Sequence, residues 1–116
     1  MAIILALGAC DAARPEPNAM PGASPARGRA IVEKVGCGAC HTIPGIRAAN
    51  GRVGPPLEGF ADRALIAGDL PNRPDALASW VRNAPGHDRR TAMPPMPLTE
   101  QEARDVAAFL YTLHDE

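Results

Sequence analysis

The hydrophobic positions of this chain fall into helical stripes separated by segments with no period. Gly28, Ile31, Val32 and Val35 recur at spacings of three and four, which places them on one face of a helix starting near Ala26. Arg27, Arg29, Glu33 and Lys34 fill the other face, and Gly36 is a plausible stop. Leu77, Trp80 and Val81 share a face of a second helix, which opens on Pro74 and runs until Pro85. Ala103, Val106, Ala107, Leu110 and Leu113 form the last stripe. Ahead of it, Thr99-Glu100-Gln101-Glu102 reads as a capping box. A shorter helix is predicted from Phe60 to Ala67, closed by Gly68.

The remaining segments are predicted loops. Pro44, Gly45, Gly51, Gly54, Pro55 and Pro56 forbid regular structure between Thr42 and Pro56. Leu70 to Pro74 is another loop, and Ala84 to Leu98 carries four prolines and two methionines. No segment alternates convincingly enough to be a strand. The expected class is all-α, three to four helices with loops long enough to need something to wrap around.

Composition strengthens that need. A chain of 116 residues is one small domain, and its aromatic content is only 3%, so little large apolar volume is available for a core. With Pro 13 and Gly 11, such a domain calls for a staple: a disulfide, a metal or a cofactor. Charges of both signs are interspersed and the formal net charge is -1. A nucleic-acid binder would show a basic stripe, and none is present.

There are three cysteines, Cys10, Cys37 and Cys40, an odd number that excludes a fully paired disulfide framework within the chain. Residues 1–10 are apolar and end in Leu7-Gly8-Ala9-Cys10, which resembles a bacterial lipobox. The run is too short to span a bilayer and fits the end of a signal-peptide core. No Lys or Arg precedes Cys10, so a truncated lipoprotein signal is expected, with Cys10 the lipidated residue. Residues 11–26 carry four prolines and no apolar period, the composition of a disordered or polyproline-like tether. The folded domain is then expected over 27–116, held at a membrane surface.

Cys37-Gly38-Ala39-Cys40-His41 admits three chemistries. A structural zinc site needs four ligands, usually from two such pairs, and no cysteine follows Cys40. A redox pair of the thioredoxin kind sits between strand and helix, and no strand is evident. The third is C-x-x-C-H as a c-type haem attachment, two thiols for the two vinyl groups and the adjacent imidazole for the iron. The motif is short, so the rest of the chain must supply a sixth ligand.

From about Gly28 to Leu113 the chain resembles a class I, monohaem cytochrome c of bacterial respiratory type. It is also similar to the cytochrome domain fused to subunit II of some haem–copper oxidases. The stretches that carry the likeness are G-C-G-A-C-H-T-I-P-G, V-G-P-P-L, I-A-G-D-L-P-N and A-M-P-P-M-P-L-T-E-Q-E-A-R-D-V-A-A-F-L-Y-T-L. The resemblance implies a cytochrome c fold around one haem c, attached through Cys37 and Cys40 with His41 as proximal ligand. It places the Pro55 carbonyl on the other ring N–H of that histidine. The distal ligand would be a methionine, Met93 or Met96; the register Met-Pro-x-x-x-Leu-Thr before the last helix selects Met93. By the same resemblance Arg63 meets a haem propionate, Asn72 and Trp80 are further pocket or propionate contacts, and Gly28 lets the terminal helices cross against Phe109 and Leu110.

The expected role is electron transfer without catalysis. Donors would be a quinol-oxidising complex or a dehydrogenase and the acceptor a terminal oxidase, on the periplasmic or cell-exterior side of the inner membrane. The alternatives are a haem enzyme or gas sensor with a labile sixth ligand, and a fixed cytochrome subunit of an oxidase. His87 and His114 read as loop and tail histidines. Arg89 and Arg90 read as solvated, at the fringe of a docking surface.

Overall fold

A computed structural model describes residues 18–115. The lipobox-like segment with Cys10, and the first part of the tether, lie outside the described residues.

The first helix, α1, spans Pro25–Val35. Ser24 caps it, its side-chain oxygen accepting the Arg27 N–H, and Pro25 sits in the first turn, where a missing N–H removes no helical bond. Gly36 ends it in the left-handed region at φ 80°, with its N–H on the Val32 carbonyl. The folded body begins ahead of α1, earlier than the sequence pattern indicated. Met20 packs against the core, Gln101 donates to the Gly22 carbonyl at 3.1 Å, and the Ser24 N–H donates to Asp105 at 2.8 Å. Pro21, Gly22 and Ser24 are held by polar partners far along the chain, which no hydrophobic period reveals.

The last helix, α4, spans Glu100–Leu110, with both halves of the capping box formed. Thr99 Oγ1 accepts the Glu102 N–H at 3.1 Å, and Glu102 Oε1 accepts the Thr99 N–H at 3.0 Å. A cap of this kind stabilises by about 1 kcal/mol. Helix α1 crosses α4 with Gly28 at the contact. A Cβ on Gly28 would stand 1.8 Å from the Asp105 carbonyl oxygen and 2.9 Å from Phe109 Cβ. The close crossing expected of Gly28 is present, and its tightest contact is the Asp105 backbone.

Between these terminal helices lie α2, Pro74–Arg82, and α3, Ala84–His87. Helix α2 packs on α4, and its Leu77 joins Val32 and Ile66 as the largest fully buried side chains. The continuous helix expected up to Pro85 is interrupted at Asn83 (φ -151°, ψ 71°), whose side chain caps α3 by accepting the Gly86 N–H. Pro85 has no N–H, and within a continued α2 its ring would clash with the carbonyl four residues back, so the chain restarts instead.

The helix expected over Phe60–Ala67 is not formed. A 3-10 turn covers Phe60–Asp62, Arg63 turns extended (φ -79°, ψ 140°), and β1, Leu65–Ile66, pairs antiparallel with β2, Leu70–Pro71. The turn between them has positive φ at Ala67 (52°) and Gly68 (76°). Gly68 is a hairpin residue, a role its position alone does not separate from a helix stop. Neither the two-stranded ladder nor α3, which lies within the expected loop Ala84–Leu98, follows from the sequence pattern; otherwise the described residues form the expected mostly helical fold with long loops.

Candidate haem site

The cysteine motif starts one residue after α1. Cys37–Ala39 forms a 3-10 turn, and the N–H groups of Cys40 and His41 both donate to the Cys37 carbonyl, at 3.2 and 3.0 Å. Such winding brings Cys37, Cys40 and His41 to one side of a single turn. Both thiols are unpaired and partly buried. Burial, and to a smaller extent the neighbouring Cys40, push the Cys37 thiol above its usual range despite a backbone hydrogen bond that lowers it. The preceding element is a helix, so the strand-then-helix setting of a redox pair is not what surrounds this motif.

His41 is fixed by the loop that follows it. Its Nδ1 lies 2.7 Å from the Pro55 carbonyl oxygen. A carbonyl only accepts, so Nδ1 carries the proton and Nε2 keeps a lone pair for a metal. Gly54 lies directly against the ring: a Cβ there would stand 2.3 Å from Cε1, 2.7 Å from Nδ1 and 2.9 Å from Nε2. The Gly54 N–H donates to the Cys40 carbonyl at 2.7 Å, and the Leu57 N–H to the Thr42 carbonyl at 2.9 Å. The loop therefore folds back on the motif as a second layer. Within V-G-P-P-L the sequence marks Gly54 only as a breaker of regular structure; its position next to a ligand-orienting proline was the available signal.

Arg63 braces the same loop. Its guanidinium donates to the carbonyls of Pro56 and Glu58 and lies over the Phe60 ring, 5.6 Å from the centroid. Asn72 has a task different from the one expected. Its amide donates to the carbonyls of Phe60 (3.1 Å) and Arg63 (3.0 Å), and its Oδ1 accepts the Tyr111 hydroxyl at 3.0 Å. With both amide protons engaged, Asn72 is a bracket between the Phe60–Arg63 turn and the end of α4 and has no donor left for a propionate. Burial pushes the Tyr111 hydroxyl up to about 12. Trp80 is partly buried against the core, its ring 6.2 Å from that of His87. His87 in turn bonds the Ser79 hydroxyl at 2.7 Å, and His114 pairs with Asp62 at 3.0 Å.

The two candidate methionines sit differently. The Met96 N–H donates to the Arg82 carbonyl at 3.1 Å, and Met96 lines the groove between α2 and α4 with Ala78, Arg82 and Ala103. None of Cys37, Cys40 or His41 borders that groove. Met93, partly buried against the core, follows a turn in which its N–H donates to Thr91 Oγ1 at 3.2 Å.

This donor set fits a haem c. Two unpaired thiols share a turn with an imidazole whose free nitrogen is set by its own hydrogen bond, and a thioether is available from the late loop. The contact between Gly54 and the ring shows that the chain is shaped around His41 rather than merely near it.

A family model described as cytochrome c matches residues 25–114. Cytochrome c-551 of Ectopseudomonas mendocina is 35% identical over 89 residues, covering 76% of this chain and 99% of that protein. Cytochrome c oxidase subunit 2 of Alkalihalophilus pseudofirmus is 31% identical over 88 residues, 75% of this chain. The match spans only 25% of that longer protein. Among solved structures, SoxXA from P. pantotrophus superposes with TM-score 0.63 at 25% identity, over 80% of this chain and 83% of that one. The c-type cytochrome SorU from Sinorhizobium meliloti gives 0.54 at 26%, over 78% and 90%.

Proposed function

Because the chain belongs to the cytochrome c family, whose members are c-type electron-transfer proteins that carry covalent haem, we propose that it is a monohaem electron carrier of a bacterial respiratory chain. His41 and Met93 would ligate the iron, and Cys37 and Cys40 would hold the haem as thioethers. When bound, the haem supplies an iron that cycles between two oxidation states. The observation that carries the reading is the His41 Nδ1 contact with the Pro55 carbonyl, which leaves Nε2 as the only ring nitrogen for a metal.

Each residue then has a physical task. Pro55, stiffened by its own ring and by the Pro56 carbonyl bond to Arg63, orients the imidazole and raises its basicity. Met93 contributes a thioether, which favours the reduced state and raises the potential. Met96 is engaged in the α2–α4 groove, which supports Met93 as the ligand. An imidazole from His41 and a thioether from Met93 would together leave no open position for a small substrate, which is why the reading is of a carrier. Arg63 and Trp80 would contact the propionates, while Asn72 stiffens the wall through Tyr111.

The acceptor is a terminal oxidase and the donor a quinol-oxidising complex or dehydrogenase, on the periplasmic or cell-exterior side, with Cys10 lipidated. The likeness to part of an oxidase subunit supports the acceptor. The match to nearly the whole of a small cytochrome favours a separate carrier over a fixed subunit.

A reduced-minus-oxidised visible spectrum and a haem-stained denaturing gel test the reading. A colourless protein, made where haem attachment is available, overturns it. The near-infrared thioether–iron band of the oxidised protein should vanish in Met93→Ala and persist in Met96→Ala; its survival in Met93→Ala sinks the ligand assignment.

A further inference from the structure

We propose that Arg82 is a positioning residue for the distal ligand, clamping the loop that carries Met93. Arg82 is the last residue of α2, where a helix leaves its carbonyl without an intrahelical partner. That carbonyl accepts the Met96 N–H at 3.1 Å. The Arg82 side chain reaches the same segment, Nε donating to the Leu98 carbonyl at 3.1 Å. One residue thus grips the loop at two points, two residues apart.

The composition of the loop makes this grip decisive. Pro94, Pro95 and Pro97 have no N–H. Of the two backbone donors in residues 94–98, Met96 and Leu98, the Leu98 N–H bonds back to the Met96 carbonyl at 2.8 Å. Met96 N–H is therefore the one backbone donor of residues 94–98 that ties the loop to another element, and its acceptor is Arg82. The stiff Pro94-Pro95 pair transmits the register fixed at Met96 to Met93, three residues away. Losing the side-chain bond loosens the end of the loop and lets Met93 leave more often.

This inference rests on Met93 being the sixth ligand, and cyanide binding to the ferric holoprotein reads it. Cyanide reaches the iron only after Met93 leaves, so its binding rate reports loop opening. Arg82→Ala should bind about tenfold faster, the factor set by one charge-assisted hydrogen bond, and the Met96 amide should exchange faster with solvent. Arg104→Ala removes a cation from the same groove, where Arg104 pairs with Asp75 at 3.6 Å, and should bind at the wild-type rate. An unchanged rate in Arg82→Ala, or an equal acceleration in Arg104→Ala, overturns the proposal. If Met93→Ala accelerates cyanide binding while Arg82→Ala does not, the clamp alone is wrong. If Met93→Ala fails to accelerate it, the ligand assignment falls too.

Discussion

Nδ1 of His41 lies 2.7 Å from the carbonyl oxygen of Pro55, and the residue before that proline, Gly54, has its Cα against the same ring. The imidazole is thus held by a hydrogen bond on one atom and by backbone contact across its ring. An orientation fixed this way is a property of the loop backbone, so side-chain changes there act very unequally.

Gly54→Ala should be severe, because its Cβ would stand 2.3 Å from Cε1 of His41 and the ring or the loop must move. Overpacking of this kind costs about 1–3 kcal/mol. The expected spectrum is one of weakened or mixed proximal ligation. Pro55→Ala keeps the carbonyl and should leave the spectrum close to wild type. Equal spectra for the two variants would show that the backbone contact does not hold the ring.

Asp105 is buried, 2% exposed, within α4. Burial alone would raise its carboxyl, but donation from Arg27, the Ser24 N–H and Gln101 outweighs this and holds it below the usual range. The unfolded chain therefore binds more protons in acid than the folded one. The stabilisation is full above the ordinary carboxyl pKa of about 4 and fades as pH falls through the lower folded value. Asp105→Asn should destabilise by about 2 kcal/mol at neutral pH and flatten the acid limb of stability, as measured by urea unfolding across pH.

Tyr111 has the opposite sign. Its hydroxyl ionises near 12 in the folded protein against 10.0 ordinarily, so above pH 10 the unfolded chain loses its proton first. Stability should fall by about 1.4 kcal/mol per pH unit between these values. In Tyr111→Phe that slope should disappear, at the loss of the bond to Asn72. Alkaline unfolding curves of the two proteins check it.

At Gly28 the obstacle is backbone, since a Cβ would stand 1.8 Å from the Asp105 carbonyl oxygen. Neither chain can yield without separating α1 from α4. Gly28→Ala should lower the thermal midpoint by more than about 10 °C, which is about 3 kcal/mol for a domain of this size. A midpoint within a few degrees of wild type would show that the helices can part cheaply.

Local signals served well wherever a local cause decides. The stop of α1 at Gly36, the capping box at Thr99 and the start of α2 at Pro74 are set by neighbouring residues, and each is legible in the chain. The failure at Phe60–Ala67 has the reverse origin. That stretch is held out of an α-helix by partners elsewhere, with Asn72 donating to the carbonyls of Phe60 and Arg63 and the Leu113 carbonyl accepting the Ala61 N–H. No period within eight residues reports such bonds. Nothing in the local pattern marks Asp105 as buried, because its partners Ser24 and Arg27 lie about eighty residues earlier.

By itself the sequence determined the two terminal helices, the start of α2, the thiol–thiol–imidazole spacing and the two methionines that compete for the second ligand position. These depend on covalent order and short-range geometry. Tertiary structure alone decided which nitrogen of His41 is free, that Asn72 is a bracket, and that Met96 is tied to Arg82 in the α2–α4 groove. Those outcomes rest on hydrogen bonds and close contacts between segments distant along the chain, and such pairings exist only once the loops have closed.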